Sequence, residues 1–263
     1  MSRLSYLAQK SLISSVLVSS VAALTTLSVG LPVLALQYNP PNRGAPSNTW
    51  NAGSRGGCID LTAVQPTQTN WGETLMAHPT FGIYVSEPAT NLTFELRDER
   101  SKEILHRVTF DQIDGPGISL YTLPDTAPAL EPDQYYRWRV SLDCAQFNTD
   151  KIQYTGGKES GGMIVRRALS DELQTHLETM ADAEKPALFA TQGLWYDMVH
   201  TLLMQPSHQA ETEQWTDSWQ SLLAHPMVQL HNLMEATLVD CCLAVDCPES
   251  GLSETGSSDA ALR

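Results

Sequence analysis

Apolar and polar side chains alternate along much of the chain between residues 58 and 168, and this period of two restricts the region to β-strands. In the clearest run, residues 136–142, four apolar side chains alternate with Arg137, Arg139 and Ser141. Alternation puts the two sets on opposite faces of a sheet. Turn signals separate the runs at roughly the 8–12 residue spacing of an antiparallel β-sandwich. The other predicted strands are at 59–63, 81–85, 92–96, 108–110, 151–154 and 163–167.

The approach to the clearest strand is consistent with that architecture. Residues 130–136 read Leu-Glu-Pro-Asp-Gln-Tyr-Tyr. This segment resembles the tyrosine corner of immunoglobulin-like and fibronectin type III-like domains, where a tyrosine hydroxyl bonds to backbone a few residues upstream. We therefore expect residues 58–168 to form a sandwich of that kind.

Beyond residue 168 the apolar period becomes that of a helix, with repeats at spacings of three, four and seven. Ser170 is placed to cap a first helix and Pro186 to begin a later one. Residues 193–197 resemble the middle of a tetratricopeptide repeat, with Gly193 at the turn. Because stacks of such repeats need about three copies and only one is visible, we expect a helical hairpin region at 169–245 that packs on the sheets. The predicted class is α+β.

The first 35 residues indicate export. Arg3 and Lys10 begin the segment, and residues 12–34 carry no charge. The small side chain of Ala35 fits a signal peptidase site, which places cleavage between Ala35 and Leu36. The alternative is a retained anchor, because the uncharged run is long enough to cross a hydrocarbon layer of about 30 Å. We expect cleavage and a periplasmic or extracellular product.

Composition predicts the remaining domain boundaries and argues against anionic partners. Residues 36–57, rich in Pro, Gly, Asn and Ser, predict an extended, disordered lead-in, and residues 246–263 predict a disordered tail. The net charge is −14, from 16 basic and 30 acidic side chains. Such a surface repels phosphate backbones and anionic headgroups, so nucleic acid and, after leader removal, membranes are poor partners.

Five cysteines follow the predicted cleavage point. Cys144 closes the clearest strand and Cys58 opens the sheet region, so an oxidising compartment favours a disulfide between them. Closing that long loop would contribute about 4 kcal/mol on the chain-entropy estimate. Cys241, Cys242 and Cys247 leave several outcomes open: a Cys242 to Cys247 bond, free thiols, or a covalent dimer through Cys241.

Motifs that would reveal catalysis are missing from the sequence. It has no Gly-x-Ser-x-Gly elbow, no phosphate-binding Gly-x-x-x-x-Gly-Lys loop, no His-Glu-x-x-His and no dinucleotide fingerprint. We therefore expect no catalytic, cofactor or metal site. The leading hypothesis is a non-enzymatic binding or structural module that engages a protein or a cell-envelope glycan.

Two alternatives use particular side chains. Asp197 and His200 lie three residues apart on a predicted helix and could act as an acid and base in an envelope hydrolase or glycan-active enzyme. His225 and His231 could join the cysteines at 241–247 in a soft-metal site, because thiolate and imidazole suit zinc or copper.

A set of short segments also occurs in a distinctive order. The segments are Arg55-Gly56-Gly57-Cys58, Leu61-Thr62-Ala63, Pro79-Thr80-Phe81, Tyr136-Arg137-Trp138 and Gly193-Leu194-Trp195-Tyr196-Asp197. Their order resembles that of a cyanobacterial exported family catalogued as domain of unknown function 928, over roughly residues 50–235. The resemblance implies export and a cyanobacterial source, but it implies no activity and no site residues.

Overall fold

The computed structural model describes residues 36–41, 59–148, 151–204 and 213–239, without the side chains of 144–148, 151–156, 213 and 214. By its internal contacts the chain divides into two compact units, Met1–Pro32 and Val33–Arg263. All described residues belong to the second unit. Eight strands precede four α-helices in the described part, so the predicted α+β class is confirmed.

The strands form two sheets. The three-stranded sheet has the order β1-β3-β6, and the five-stranded sheet has the order β2-β8-β7-β4-β5. Every pair is antiparallel except β2 with β8. The strand bounds are β1 Leu61–Ala63, β2 Trp71–Thr74, β3 Thr80–Val85, β4 Ala89–Asp98, β5 Ile104–Ile113, β6 Gly117–Thr122, β7 Tyr135–Asn148 and β8 Lys151–Arg166.

The parallel β2–β8 pair departs from the antiparallel arrangement that the sequence predicts. Parallel neighbours need a long crossover connection, and here strands β3 to β7 lie between β2 and β8 along the chain. Strand β8 joins the two runs predicted at 151–154 and 163–167. Within it, a Cβ at Gly161 would lie 2.3 Å from the Trp138 carbonyl oxygen, so only glycine permits this approach of β7.

Aromatic side chains join the inward faces of the two sheets. The ring of Phe81 on β3 lies 5.0 Å from that of Phe94 on β4 and 4.9 Å from that of Trp138 on β7, measured between centroids. All three are fully buried. At the start of β7 the backbone N–H of Glu131 donates to the hydroxyl of Tyr136 at 2.8 Å, the bond that a tyrosine corner requires.

The helices follow in sequence as α1 (Asp171–Thr179), α2 (Lys185–Gln192), α3 (Trp195–Met204) and α4 (Glu213–Ala224). The predicted cap is confirmed, because the Leu173 N–H donates to the Ser170 hydroxyl at 3.2 Å. Pro186 lies in the first turn of α2, and Gly193 ends that helix with a φ of 73°. Both residues have the predicted places. In the described part no helix is long and apolar enough to cross a membrane.

Helix α3 packs against β2 and β3 and is anchored by its first two side chains. The Trp195 indole N–H donates to the Val64 carbonyl at 3.0 Å, and the Tyr196 ring lies 5.5 Å from that of Phe81. Both side chains are buried. Both side chains therefore belong to the main core.

Residues 36–41 begin the segment for which composition predicts disorder, yet they pack on the helical region. Leu36 and Tyr38 are buried in the main core, whereas Gln37 lies exposed between them. The Asn39 N–H donates to the Ala190 carbonyl at 3.0 Å. Two large apolar side chains two positions apart explain this order, because together they bury one side of an extended chain.

Several predictions fall outside the described residues. Ala35, Cys58, Cys241, Cys242, Cys247 and residues 246–263 are among them. The backbone of Cys144 lies in β7 where the register with β8 shifts, but its side chain is outside the description. The Cys58 to Cys144 disulfide, the covalent dimer and the signal cleavage therefore stay predictions.

Candidate functional site: the outer face of the five-stranded sheet

Strand register arranges the outward side chains of the five-stranded sheet in rows. One row crosses all five strands, and we call it the arginine row. At about 4.8 Å between neighbouring strands it extends roughly 19 Å. It contains no carboxylate, and its members are Trp71, Met163, Arg137, Arg97 and Ile104.

Arg97 and Arg137 are directly opposite each other on β4 and β7. Like charges in that position are destabilising unless they are neutralised. The guanidinium of Arg137 is only 8% exposed and donates to both carboxylate oxygens of Glu99, at 2.9 and 3.2 Å. Arg97 is half-buried, and its guanidinium makes no ion pair with a described side chain. Its donors are therefore available to a partner.

The adjacent row satisfies its own charges. Glu95 is buried between Arg107 and Arg139 and pairs with both. Burial raises the pKa of Glu95, but the hydrogen bonds from the two guanidinium groups outweigh burial and hold the pKa below its ordinary value. Arg139 also donates to Glu159 at 2.9 Å. The arginines of this row are therefore already paired with carboxylates, whereas Arg97 is not.

Accessible apolar groups lie on both sides of the arginine pair. Tyr135 is 43% exposed, with its ring edge-on to Trp71 at 5.5 Å between centroids. Ile104, at the far end of the arginine row, is 44% exposed. A guanidinium binds carboxylates through two parallel N–H donors, and a nearby aromatic ring adds contact area. Together these groups suit a ligand that carries a carboxylate on a partly apolar body.

Asp197, one of the two side chains of the acid and base alternative, connects α3 with the end of β2. Its two carboxylate oxygens accept from the Leu75 N–H at 3.2 and 3.0 Å. Burial raises the pKa of Asp197 to about 6, although hydrogen bonds from Thr74 and Leu75 oppose the rise.

His200, the other side chain of that alternative, has a different partner. Its Nδ1 lies 2.9 Å from the hydroxyl oxygen of Thr80, which is in turn 2.8 Å from that of Thr122. Burial lowers the pKa of His200. No hydrogen bond between described atoms joins Asp197 to His200, so the structure does not bring the two together as an acid and base pair.

The histidines of the metal hypothesis are also separate. Nδ1 of His225 accepts from the Met227 N–H at 3.3 Å, whereas His231 is exposed. Across residues 36–41, 59–148, 151–204 and 213–239, no group of three or more His, Cys, Asp or Glu side chains could hold a metal ion. Because the three cysteines lie elsewhere in the chain, the soft-metal hypothesis stays a prediction.

A buried polar network that sequence patterns did not indicate holds α3 against the sheet interior. The Trp138 indole N–H donates to the Gln65 carbonyl oxygen at 3.0 Å and to the Tyr196 hydroxyl at 2.7 Å. That hydroxyl donates to the same Gln65 oxygen at 2.6 Å, and the Gln65 amide donates to Asn70 at 2.9 Å. Trp138, Gln65 and Tyr196 satisfy one another, whereas the buried Nδ2 of Asn70 has no hydrogen-bond partner among the described residues. We assign the network a structural role.

Comparison with known families agrees with the resemblance noted from the order of segments. A family model described as Domain of Unknown Function (DUF928) matches residues 45–238. The chain belongs to this family. No curated protein matches it. The DUF928 match includes every described strand and helix and hence the whole arginine row, but it begins after residues 36–41.

Proposed function

We propose that this DUF928 protein is an exported, non-enzymatic binding module of the cell envelope, periplasmic or extracellular. Its outer sheet face would engage a protein or glycan that carries carboxylates. One observation supports this proposal most directly. Arg97 lies directly opposite Arg137 on the neighbouring strand and forms no ion pair with a described carboxylate, although the net charge of the chain is −14.

The charge near Arg97 differs from that of the whole chain. In the arginine row and the adjacent row, counted together with their ion-pair partners, five cations stand against three carboxylates, and the exposed carboxylates of Asp111 and Asp143 lie elsewhere on the face. A partner carboxylate at Arg97 would relieve the repulsion between two guanidinium groups while forming charge-assisted hydrogen bonds. Oppositely charged patches also accelerate association. The cations are Arg97, Lys102, Arg107, Arg137 and Arg139, and the carboxylates are Glu95, Glu99 and Glu159.

The finer architecture belongs to the same proposal. We propose that the two sheets form an immunoglobulin-like or fibronectin type III-like sandwich, and that α2 and α3 form a hairpin of the tetratricopeptide kind. The bond from Glu131 to Tyr136 and the inward aromatic contacts support the sandwich, and the turn at Gly193 supports the hairpin. Such folds commonly present binding surfaces, although fold alone does not determine function.

Site-specific crosslinking in envelope extract tests the face directly. A photoreactive amino acid at Tyr135 should capture a protein or glycan, whereas the same group at exposed Glu172 on α1 should capture none of it. Arg97→Glu should reduce capture about tenfold or more, because a hydrogen bond to a charged group contributes about 1.5–3 kcal/mol. Arg100→Glu makes the same charge change at the exposed hairpin tip and should leave capture intact. Equal capture by both variants would refute the proposal.

A further inference from the structure

The six residues that directly follow the predicted cleavage point form part of the core of the folded unit. Leu36 is 7% and Tyr38 2% exposed. Gln37 and Asn39 alternate with them and are exposed. The Tyr38 N–H donates to the Leu36 carbonyl at 3.1 Å, so the segment carries its own local bond. We call residues 36–41 the N-terminal clasp.

The clasp binds the end of α2. Carbonyls in the last turn of a helix lack partners within the helix. The Asn39 backbone N–H donates to the Ala190 carbonyl at 3.0 Å, and its side-chain amide donates to the Thr191 carbonyl at 3.5 Å. The Ala190 carbonyl also accepts from the Gly193 N–H at 3.1 Å, so the clasp residue adds a second donor there and bonds to the next carbonyl as well.

The same segment contacts two other helical elements. The Tyr38 ring lies edge-on to Trp195 at the start of α3, 5.2 Å between centroids. It also lies edge-on to His225, just after α4, at 5.9 Å. Tyr38 thus connects α3 with the end of α4, while Asn39 contacts α2.

The turn between α2 and α3 is shaped around the clasp. Gly193 adopts a left-handed φ of 73°, and a Cβ there would lie 2.6 Å from the Asn39 carbonyl oxygen and 3.3 Å from Pro41 Cδ. A side chain at this position would displace the clasp as well as strain the backbone. The glycine accordingly serves both the helix end and the docking of residues 36–41.

We propose that the N-terminal clasp locks the α2–α3 turn to the end of α4, and that the mature protein therefore begins no later than Leu36. Processing between Ala35 and Leu36 keeps every clasp residue. A cut after Pro41 removes all of them and leaves the helical core open. The compact unit that contains the clasp begins at Val33, close to the predicted cleavage point. The clasp precedes the DUF928 match, so the family model does not describe it.

Point variants in the full chain test whether the N-terminal clasp stabilises the folded protein. Leu36→Asp and Tyr38→Ala should each lower the midpoint of thermal unfolding by roughly 5–10 °C. Gln37→Asp places the same new charge at the exposed position between them and should change the midpoint by less than about 1 °C. Tyr38→Phe should be neutral or stabilising, because the Tyr38 hydroxyl is buried and has no hydrogen-bond partner among the described residues. Midpoints for Leu36→Asp and Tyr38→Ala equal to that of Gln37→Asp would overturn the proposal.

Two further measurements distinguish a local role of the clasp from a general loss of folding. Hydrogen exchange should become at least tenfold faster in α2 and α3 of Tyr38→Ala, with little change in β4 and β7. Uniform acceleration through both sheets would overturn a local role. Amino-terminal sequencing of the protein isolated from its native host should give a first residue at or before Leu36. A folded native protein that begins after Pro41 would overturn the proposal.

Discussion

Asp197 provides the sharpest test of how the helices are held to the sheet, because its charge is buried where few groups compensate it. The substitution Asp197→Asn removes the charge and keeps a carbonyl oxygen that can accept from the Leu75 N–H. The wild-type carboxyl has a folded-state pKa of about 6, against an ordinary value of 3.8. Burial is the largest cause of this rise.

The expected magnitude follows from proton linkage. A difference of about two pKa units, at about 1.4 kcal/mol each, corresponds to about 3 kcal/mol. The sign is opposite to that of most carboxylates. The folded pKa is raised, so the favourable contribution of protonated Asp197 is complete below about pH 3.8 and is lost as the pH rises through about 6. Asp197→Asn has no such loss.

Urea unfolding of both proteins between pH 4 and pH 8 measures this term. The free energy of unfolding of Asp197→Asn, minus that of the wild type, should increase by about 2.5 kcal/mol between these two pH values, because the unfolded-state carboxyl is already partly ionised at pH 4. Asp111→Asn, at an exposed position of β5, provides the matched control and should show no comparable increase. The pKa values of Glu95, Asp98 and Glu99 are lowered, but their stability terms are common to all three proteins and cancel. A pH-independent difference for Asp197→Asn would refute the reasoning.

Three other substitutions test local features by chemical unfolding. Tyr136→Phe leaves the Glu131 N–H without its partner and should cost about 1–3 kcal/mol, and an unchanged stability would rule out a structural role for the corner. Gly162→Ala would place a Cβ 1.5 Å from the Gln65 amide nitrogen, so it should cost at least about 2 kcal/mol and also perturb the near-ultraviolet signal of Trp138. Gly193→Ala puts a side chain at positive φ and against the clasp, and should cost about 1–2 kcal/mol or more. A neutral result there would contradict the fit between turn and clasp.

Features set by a few neighbouring residues could be predicted from the sequence. The Ser170 cap, the Gly193 turn and the bond made by Tyr136 each depend on residues within five positions of one another. Their chemistry is therefore visible without knowledge of the fold. Strand β2 could not be found in this way, because all four of its residues are buried and no alternation marks it. Strand β6 has the same difficulty, with five of its six residues buried.

The candidate site was predictable only in part. Alternation shows that Arg137 and Arg139 lie on the face opposite to Trp138, but it does not show which residues stand beside them. The opposition of Arg97 and Arg137 depends on β4 pairing with β7 rather than with β3, its predecessor in the chain. That choice is a long-range property of the two sheets. The clasp was hidden for a related reason. Its composition predicts an extended chain, and the helical residues that order it, such as Trp195 and His225, lie far away along the chain.

The polar groups at the helix and sheet junction and those on the outer face are used differently. Asp197, His200 and Gln65, the polar groups nearest the helix and sheet junction, are each committed to internal hydrogen bonds that fix α3 or the ends of the strands. A catalytic acid or base must instead present its proton to a substrate. On the outer face Arg97 differs from these groups, since its guanidinium makes no ion pair with a described side chain and it is paired in register with exposed Ile104. A guanidinium that has no internal partner is suited to recognition when it lies on a five-stranded sheet. The strands fix its position before a partner binds.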